Sequence, residues 1–316
     1  MELRRLGRSG LRVGPLGLGT ARMAGLGWRH ETTPAVSPAA RRDAIRQIQE
    51  AVDLGVTLFD TADNYGEGES ERILGEALRG RAGVIVVTKF GEDPTPDQDD
   101  PWALDAEAVG RKCEASLRRL GVECIDVVLL HRRDYPLERA PEMVGILEDL
   151  VHAGRIRAYG WSTDDVERAR VFAEGEHCTA IEHRLNVLHD APAMLELCRE
   201  HDLASLNRVP LLMGVLTGRW SEDTRLDRDD PRAPWFEQEG FRELLARARA
   251  IGPHLARDGR SIAHGALGWI WARSPLAVPL PGFRDMAQLC DLLEARRFGP
   301  LPPDAMRAIA DELGGG

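Results

Sequence analysis

The chain repeats one pattern, a short apolar run closed by a polar side chain and followed by a longer amphipathic stretch. Gly55-Val56-Thr57-Leu58-Phe59 leads into Asp60, Val84-Ile85-Val86-Val87-Thr88 into Lys89, and Ile125-Asp126-Val127-Val128-Leu129-Leu130 into His131. Runs of this length and β-branched content predict buried strands. Lys89 follows Asp60 by 29 residues and His131 follows Lys89 by 42, room for one helix and its loops each time. Helices are expected over residues 40–54, with Ala44, Ile45, Ile48, Ala51 and Val52 on one face, from an N-cap at Ser70 onward, and over 105–120 and 138–153.

Further strands are expected at 17–20, 155–160, 179–182, 203–211 and 276–280, which brings the total to eight. Residues 3–14 alternate about Gly7-Arg8-Ser9-Gly10, a hairpin ahead of the main fold. The expected architecture is an α/β protein, a (β/α)8 TIM barrel with an N-terminal β-hairpin, in one domain spanning 1–316. The polar segments 91–104 and 219–240 then become extended loops at the C-terminal mouth. In a closed parallel barrel the C-terminal strand ends share one face, so Asp60, Lys89 and His131 converge there.

Composition narrows the function more than the fold. Hydrophobic residues at 43% and charged residues at 29% support a large core and do not indicate disorder. A formal charge of -10 without a basic patch argues against nucleic acid or an anionic membrane as partner. The five cysteines are odd in number and lack C-x-x-C spacing, so they read as reduced thiols and no metal site is expected. The first residues, Met1 to Gly7, lack an apolar leader core, and no stretch approaches the roughly 18 apolar residues of a membrane span. The expected location is the cytoplasm.

Only two of the 41 Lys and Arg residues are lysines, and one of them closes a buried strand. Taken singly, a buried Asp–Lys pair is often structural, and a histidine after an apolar strand is often a satisfied core group. Phe59-Asp60-Thr61-Ala62-Asp63-Asn64-Tyr65-Gly66 adds a phenol to the carboxylate, ammonium and imidazole, and the four together read as acid-base machinery.

In order along essentially the whole chain, the motifs resemble the aldo-keto reductase family. They are Leu6-Gly7-Arg8-Ser9-Gly10-Leu11-Arg12-Val13, Phe59 to Gly66 with Gly68, Ser70, Glu71, Leu74 and Gly75, Thr88-Lys89-Phe90, Asp126 to Arg132, Leu216-Thr217-Gly218-Arg219, and Pro279 to Arg284 with Gln288. The resemblance implies a catalytic tetrad of Asp60, Tyr65, Lys89 and His131. Tyr65 would give the proton, with its pKa lowered by Lys89, Asp60 would orient that ammonium, and His131 would bind the substrate carbonyl. It also implies NADPH as hydride source, held by Thr20, Ser162, Thr163, Glu182, Pro210, Leu211, Gly214, Gly282, Arg284 and Gln288. Arg284 would pair with the 2'-phosphate that distinguishes NADPH from NADH.

The nicotinamide side departs from the family pattern. Thr163 stands for the usual asparagine, Glu182 for glutamine, Leu185 for a stacking tyrosine, Val209 for serine, and Leu292 for an asparagine near the adenine. A carboxylate at 182 accepts from the carboxamide NH2 but cannot donate to its oxygen. Lost polar contacts at about 1 kcal/mol each weaken nicotinamide binding unless His183, Arg184 or Arg208 replaces them.

The implied activity is NADPH-dependent reduction of an aldehyde or ketone to an alcohol. The departures leave two alternatives open: a redox-neutral lyase or dehydratase using Tyr65, Lys89 and His131, and a non-catalytic regulatory or sensor subunit. Trp28, Trp102, Trp161, Trp220 and Trp235 fall in or near the expected mouth loops, and with Arg132 they are the candidate substrate contacts.

Overall fold

The computed structural model describes residues 2–23, 36–92, 104–221, 223–224 and 239–314. A two-stranded antiparallel hairpin, β1 (Arg4–Arg5) and β2 (Arg12–Val13), precedes eight parallel strands. These are β3 (Leu18–Gly19), β4 (Leu58–Asp60), β5 (Ile85–Phe90), β6 (Ile125–Leu130), β7 (Ile156–Ser162), β8 (Cys178–Arg184), β9 (Ala204–Arg208) and β10 (Ala277–Pro279). They pair in sequence order from β3 to β10. The last gap is bridged by Gly17 and Gly19 amides donating to the Pro279 and Pro281 carbonyls at 3.1 Å, with a parallel bridge between Gly19 and Gly282. The eight-stranded α/β barrel and its leading hairpin are therefore as expected.

The helices between strands are α1 (Pro38–Asp53), α2 (Glu69–Ala77), α3 (Ala106–Leu120), α4 (Ala140–His152), α5 (Val166–Ala173) and α6 (Pro192–Glu200). Then come α7 (Glu239–Leu255), α8 (Ile262–Arg273), α9 (Met286–Phe298) and α10 (Pro303–Glu312). Local chemistry sets several of their starts. Ser37 caps α1 ahead of Pro38, Asp105 caps α3, Asp165 caps α5 and Asp285 caps α9, each side-chain oxygen accepting an otherwise unpaired amide of the first turn. Ser261 and His264 form a reciprocal capping pair on α8. Among the described residues, no helix is long and apolar enough to cross a membrane.

Two-residue alternation sorts each strand between two cores. Leu58, Val87, Val127, Leu129, Ala158, Ala180, Leu206 and Val278 fill the barrel interior, where Leu6 and Val13 from the hairpin join them. Phe59, Val128, Leu130, Tyr159, Trp161 and Ile181 face outward under the helices. Each fully buried Leu, Val or Phe contributes about 1.5–3 kcal/mol. The hairpin is pinned across the barrel floor: Arg8 donates to the carbonyls of Ala173, Gly175 and Cys178, and the Thr179 hydroxyl donates to the Leu6 carbonyl.

Space at one point on the wall admits only glycine. A Cβ on Gly160 would lie 1.9 Å from the Ala180 carbonyl oxygen and 2.9 Å from Leu129 Cδ2, where β7 and β8 shift register. Gly160→Ala should therefore lower stability by about 3 kcal/mol. Urea unfolding followed by circular dichroism should show a lower midpoint at unchanged slope.

Candidate active site

The alternation that fills the barrel also aims its last inward side chains at the mouth. Asp60 lies two residues beyond Leu58, Lys89 two beyond Val87, His131 two beyond Leu129, and Glu182 two beyond Ala180. Lys89 is fully buried. Its ammonium donates to Asp60 Oδ1 at 2.5 Å and to the Thr61 carbonyl at 2.8 Å, and Glu182 Oε2 stands 3.4 Å away. Tyr65 comes from the turn before α2 and is partly buried. Its ring centroid is 5.3 Å from the Lys89 nitrogen and 5.9 Å from the His131 ring, which it meets edge-on. Asp60, Tyr65, Lys89 and His131 are thus gathered in one cluster.

Burial and charge set the protonation of this cluster. Burial opposes the charge on Lys89, but Asp60 and Glu182 outweigh it and hold the ammonium above its ordinary value. Burial, with Glu182 nearby, pushes the Asp60 carboxyl well above the usual range despite the pull of Lys89. Burial and then the Lys89 charge keep the His131 imidazole neutral, well below its usual value. Lys89 pulls the Tyr65 phenol down as expected, but the pull is outweighed. Burial raises the phenol to about 12, and Asp60, Glu182 and Glu92 oppose the Lys89 effect.

The nicotinamide-side residues are divided. Ser162 donates to Glu182 Oε1 at 3.0 Å, while Oε2 is buried without a hydrogen bond. Thr20 is buried, with its hydroxyl tied to the Asp60 carbonyl at 2.9 Å and Ser70 at 2.8 Å, so it braces the strand end that carries Asp60. Thr163 Oγ1 accepts the Asp165 amide. Pro210 is buried and Leu211 packs at the edge of the apolar core. Gly214, at φ +107°, lies under the Trp220 ring, and a Cβ there would be 2.9 Å from it. Gly282 is at the closing seam, and Gln288 Oε1 accepts the Arg284 amide at the start of α9. The Arg284 side chain is 66% exposed beside Asp285.

Several expectations need correction. Trp161 is not a mouth residue. It lies on the outward face of β7, fully buried against Phe172 with its indole donating to the Arg132 carbonyl, because period two turns it opposite to Gly160 and Ser162. The same rule turns His183 outward, where Nε2 meets Ser205 Oγ at 2.7 Å, so it does not replace a nicotinamide contact. Leu185 and Leu292, two of the departures from the family pattern, are buried in apolar clusters. Trp220 packs on Gly214 and Phe241, beside the loop expected to hold cofactor. Arg132 reaches the Gly91 carbonyl at 3.4 Å. Trp28, Trp102 and Trp235 lie outside the described residues.

Sequence reasoning missed some neighbours. Glu92, after β5, places Oε2 3.3 Å from His131 Nδ1 and accepts from Asn64. Asp164 holds the Arg208 guanidinium and accepts the Arg184 amide. Glu71, fully buried, accepts from Thr88 at 2.6 Å and pairs with Arg119, fixing β5 behind Lys89. Only Glu71 had a sequence signal, its place in the motif after Gly66. The others are surface-like acids until the loops are folded.

A cluster of this kind at the mouth of an eight-stranded barrel invites comparison with known proteins, and the Aldo/keto reductase family model matches residues 15–313. The chain belongs to the aldo/keto reductase family. It is 30% identical over 302 residues to aldo-keto reductase YhdN of Bacillus subtilis, covering 93% of this chain and 88% of that one. It is 29% identical over 330 residues to the NADH-specific methylglyoxal reductase of Escherichia coli, covering 98% of both. The glycerol dehydrogenase structure from Gluconobacter oxydans superposes with a TM-score of 0.83 at 28% identity, over 98% of this chain and 94% of that one. As a member of the family the protein is an oxidoreductase of the class that uses a nicotinamide cofactor.

Removing the Lys89 charge should strand two buried carboxylates. Lys89→Met should cost about 3–5 kcal/mol at neutral pH. A carboxyl with a raised folded pKa stabilises fully below its unfolded value and loses that contribution as pH rises through the folded one. The deficit should therefore shrink between pH 7 and pH 5, and urea unfolding of both proteins across that range checks it.

Proposed function

We propose that the protein is an NADPH-dependent carbonyl reductase that converts a small aldehyde or ketone to an alcohol, with Tyr65 as proton donor. The observation that carries this reading is the Tyr65 ring 5.3 Å from the Lys89 nitrogen and 5.9 Å from the His131 ring at one mouth. The cofactor fits the residues present. Glu182 Oε2 is a buried acceptor without a hydrogen bond, suited to a carboxamide NH2, and Ser162 lies next to it. When bound, NADPH supplies the hydride, which no side chain can provide.

The chain's own groups account for the proton. Tyr65 O–H donates to the carbonyl oxygen as charge develops there, and the Lys89 ammonium steadies the phenolate left behind. His131, kept neutral by its burial, retains a ring N–H to share that oxygen. Asp60 and the Thr61 carbonyl fix the ammonium, so it need not reorganise as the charge moves. Tyr65→Phe should lower kcat for carbonyl reduction by about a hundredfold or more. NADPH affinity, measured by tryptophan fluorescence, should stay within about twofold of the parent because the hydroxyl serves the chemistry rather than cofactor binding.

Arg284 favours NADPH over NADH, since a guanidinium pairs with a 2'-phosphate in bidentate fashion. An aldo-keto reductase structure from Klebsiella pneumoniae with NADPH has 26% identity and a TM-score of 0.70 to this chain, which supports the choice. The Escherichia coli relative is named NADH-specific, so the phosphate contact is what must be measured. Calorimetric titration should show NADPH binding tighter than NADH. Arg284→Ala should erase about ten- to a hundredfold of that preference and leave NADH binding unchanged. Equal affinities in the parent protein would overturn NADPH as the cofactor.

A further inference from the structure

Two carboxylates face the Lys89 ammonium, Asp60 Oδ1 at 2.5 Å and Glu182 Oε2 at 3.4 Å. Glu182 is 3% exposed, and Ser162 holds its other oxygen at 3.0 Å, so the side chain is fixed with one oxygen aimed at the ammonium. That oxygen has no hydrogen bond. Its position follows from the barrel, because Ser162 and Glu182 are register partners on β7 and β8.

The charges around the Tyr65 phenol come from every side of the mouth. Lys89 attracts a phenolate, whereas Asp60 from β4, Glu182 from β8 and Glu92 after β5 repel it, and His131 after β6 is neutral. Glu92 is half exposed and well screened. Asp60 is already engaged by a direct hydrogen bond to Lys89. Glu182 is the buried acid that adds repulsion without such a bond. At longer range it also faces Arg208, which Asp164 holds, and His183, which Ser205 holds.

We infer that Glu182 is a positioning residue, a second counter-ion that divides the pull of Lys89 and keeps Tyr65 protonated, and so able to donate, to higher pH than a neutral amide at this place would. The inference rests on Tyr65 as the proton donor. Glu182 need not touch the carbonyl for this. Its carboxylate acts on the phenol through the shared ammonium.

The test reads Tyr65 directly in the ligand-free protein. The chain has three tyrosines, so 13C labelling at the ζ carbon gives few resonances, and Tyr65→Phe assigns the one that matters. Between pH 7 and 11 the parent Tyr65 signal should stay nearly still, and in Glu182→Gln it should begin to move about one pH unit lower or more. Glu182→Asp, which keeps the charge, should behave like the parent. Glu182→Met provides a second neutral variant should the glutamine protein not fold.

The pH above which kcat for reduction falls should drop by the same amount in the neutral variants. A folded Glu182→Gln or Glu182→Met protein whose Tyr65 signal matches the parent would overturn the inference, whatever its melting temperature. A shifted signal in a protein that reduces no carbonyl would sustain the counter-ion relation and overturn the reductase reading instead. An active reductase with an unshifted signal would do the reverse.

Discussion

The ammonium of Lys89 is the one charge around which the mouth of this barrel is arranged. A fully buried cation is tolerated only where its charge and its donors are met, and here a carboxylate, a backbone carbonyl and a second carboxylate meet them. Its partners come from different strands, so the ion cluster also ties β4, β5 and β8 together at the end where the sheet would otherwise fray. Thr20 and Ser70 extend that tie to β3 and α2 through the Asp60 carbonyl. On the proposed mechanism, stability and chemistry share the same few atoms.

Much of this was legible in the sequence because period two is a strong rule. Val87 and Lys89, or Leu129 and His131, point the same way, so an apolar interior residue announces that the polar one two places on will reach the mouth. The same rule, left unapplied, explains the misplacement of Trp161. Gly160 and Ser162 take the inward positions, which leaves the indole outside under α5, where it packs on Phe172. The same parity sends His183, one residue beyond the inward Glu182, to the outer face. Tryptophan and histidine attract functional readings by residue type, and strand parity decides against them here.

What sequence could not supply was the balance of charges. Lys89 beside Tyr65 suggested an acidified phenol, yet acidity depends on how many carboxylates share the same ammonium and how dry the space is. Glu182 lies 93 positions beyond Lys89, and its approach to 3.4 Å is a fact of barrel closure. Glu92 and Asp164 likewise gain their roles only when loops after different strands meet. Long-range proximity between charged groups leaves no periodic trace.

The hairpin at the barrel floor has a consequence for traffic. Leu6 and Val13 fill the axis and Arg8 fastens the turn across the N-terminal ends of the strands, so this end is stoppered. A vessel with one opening imposes a queue on anything that enters it. Whichever of two bound molecules lies deeper must arrive first and depart last.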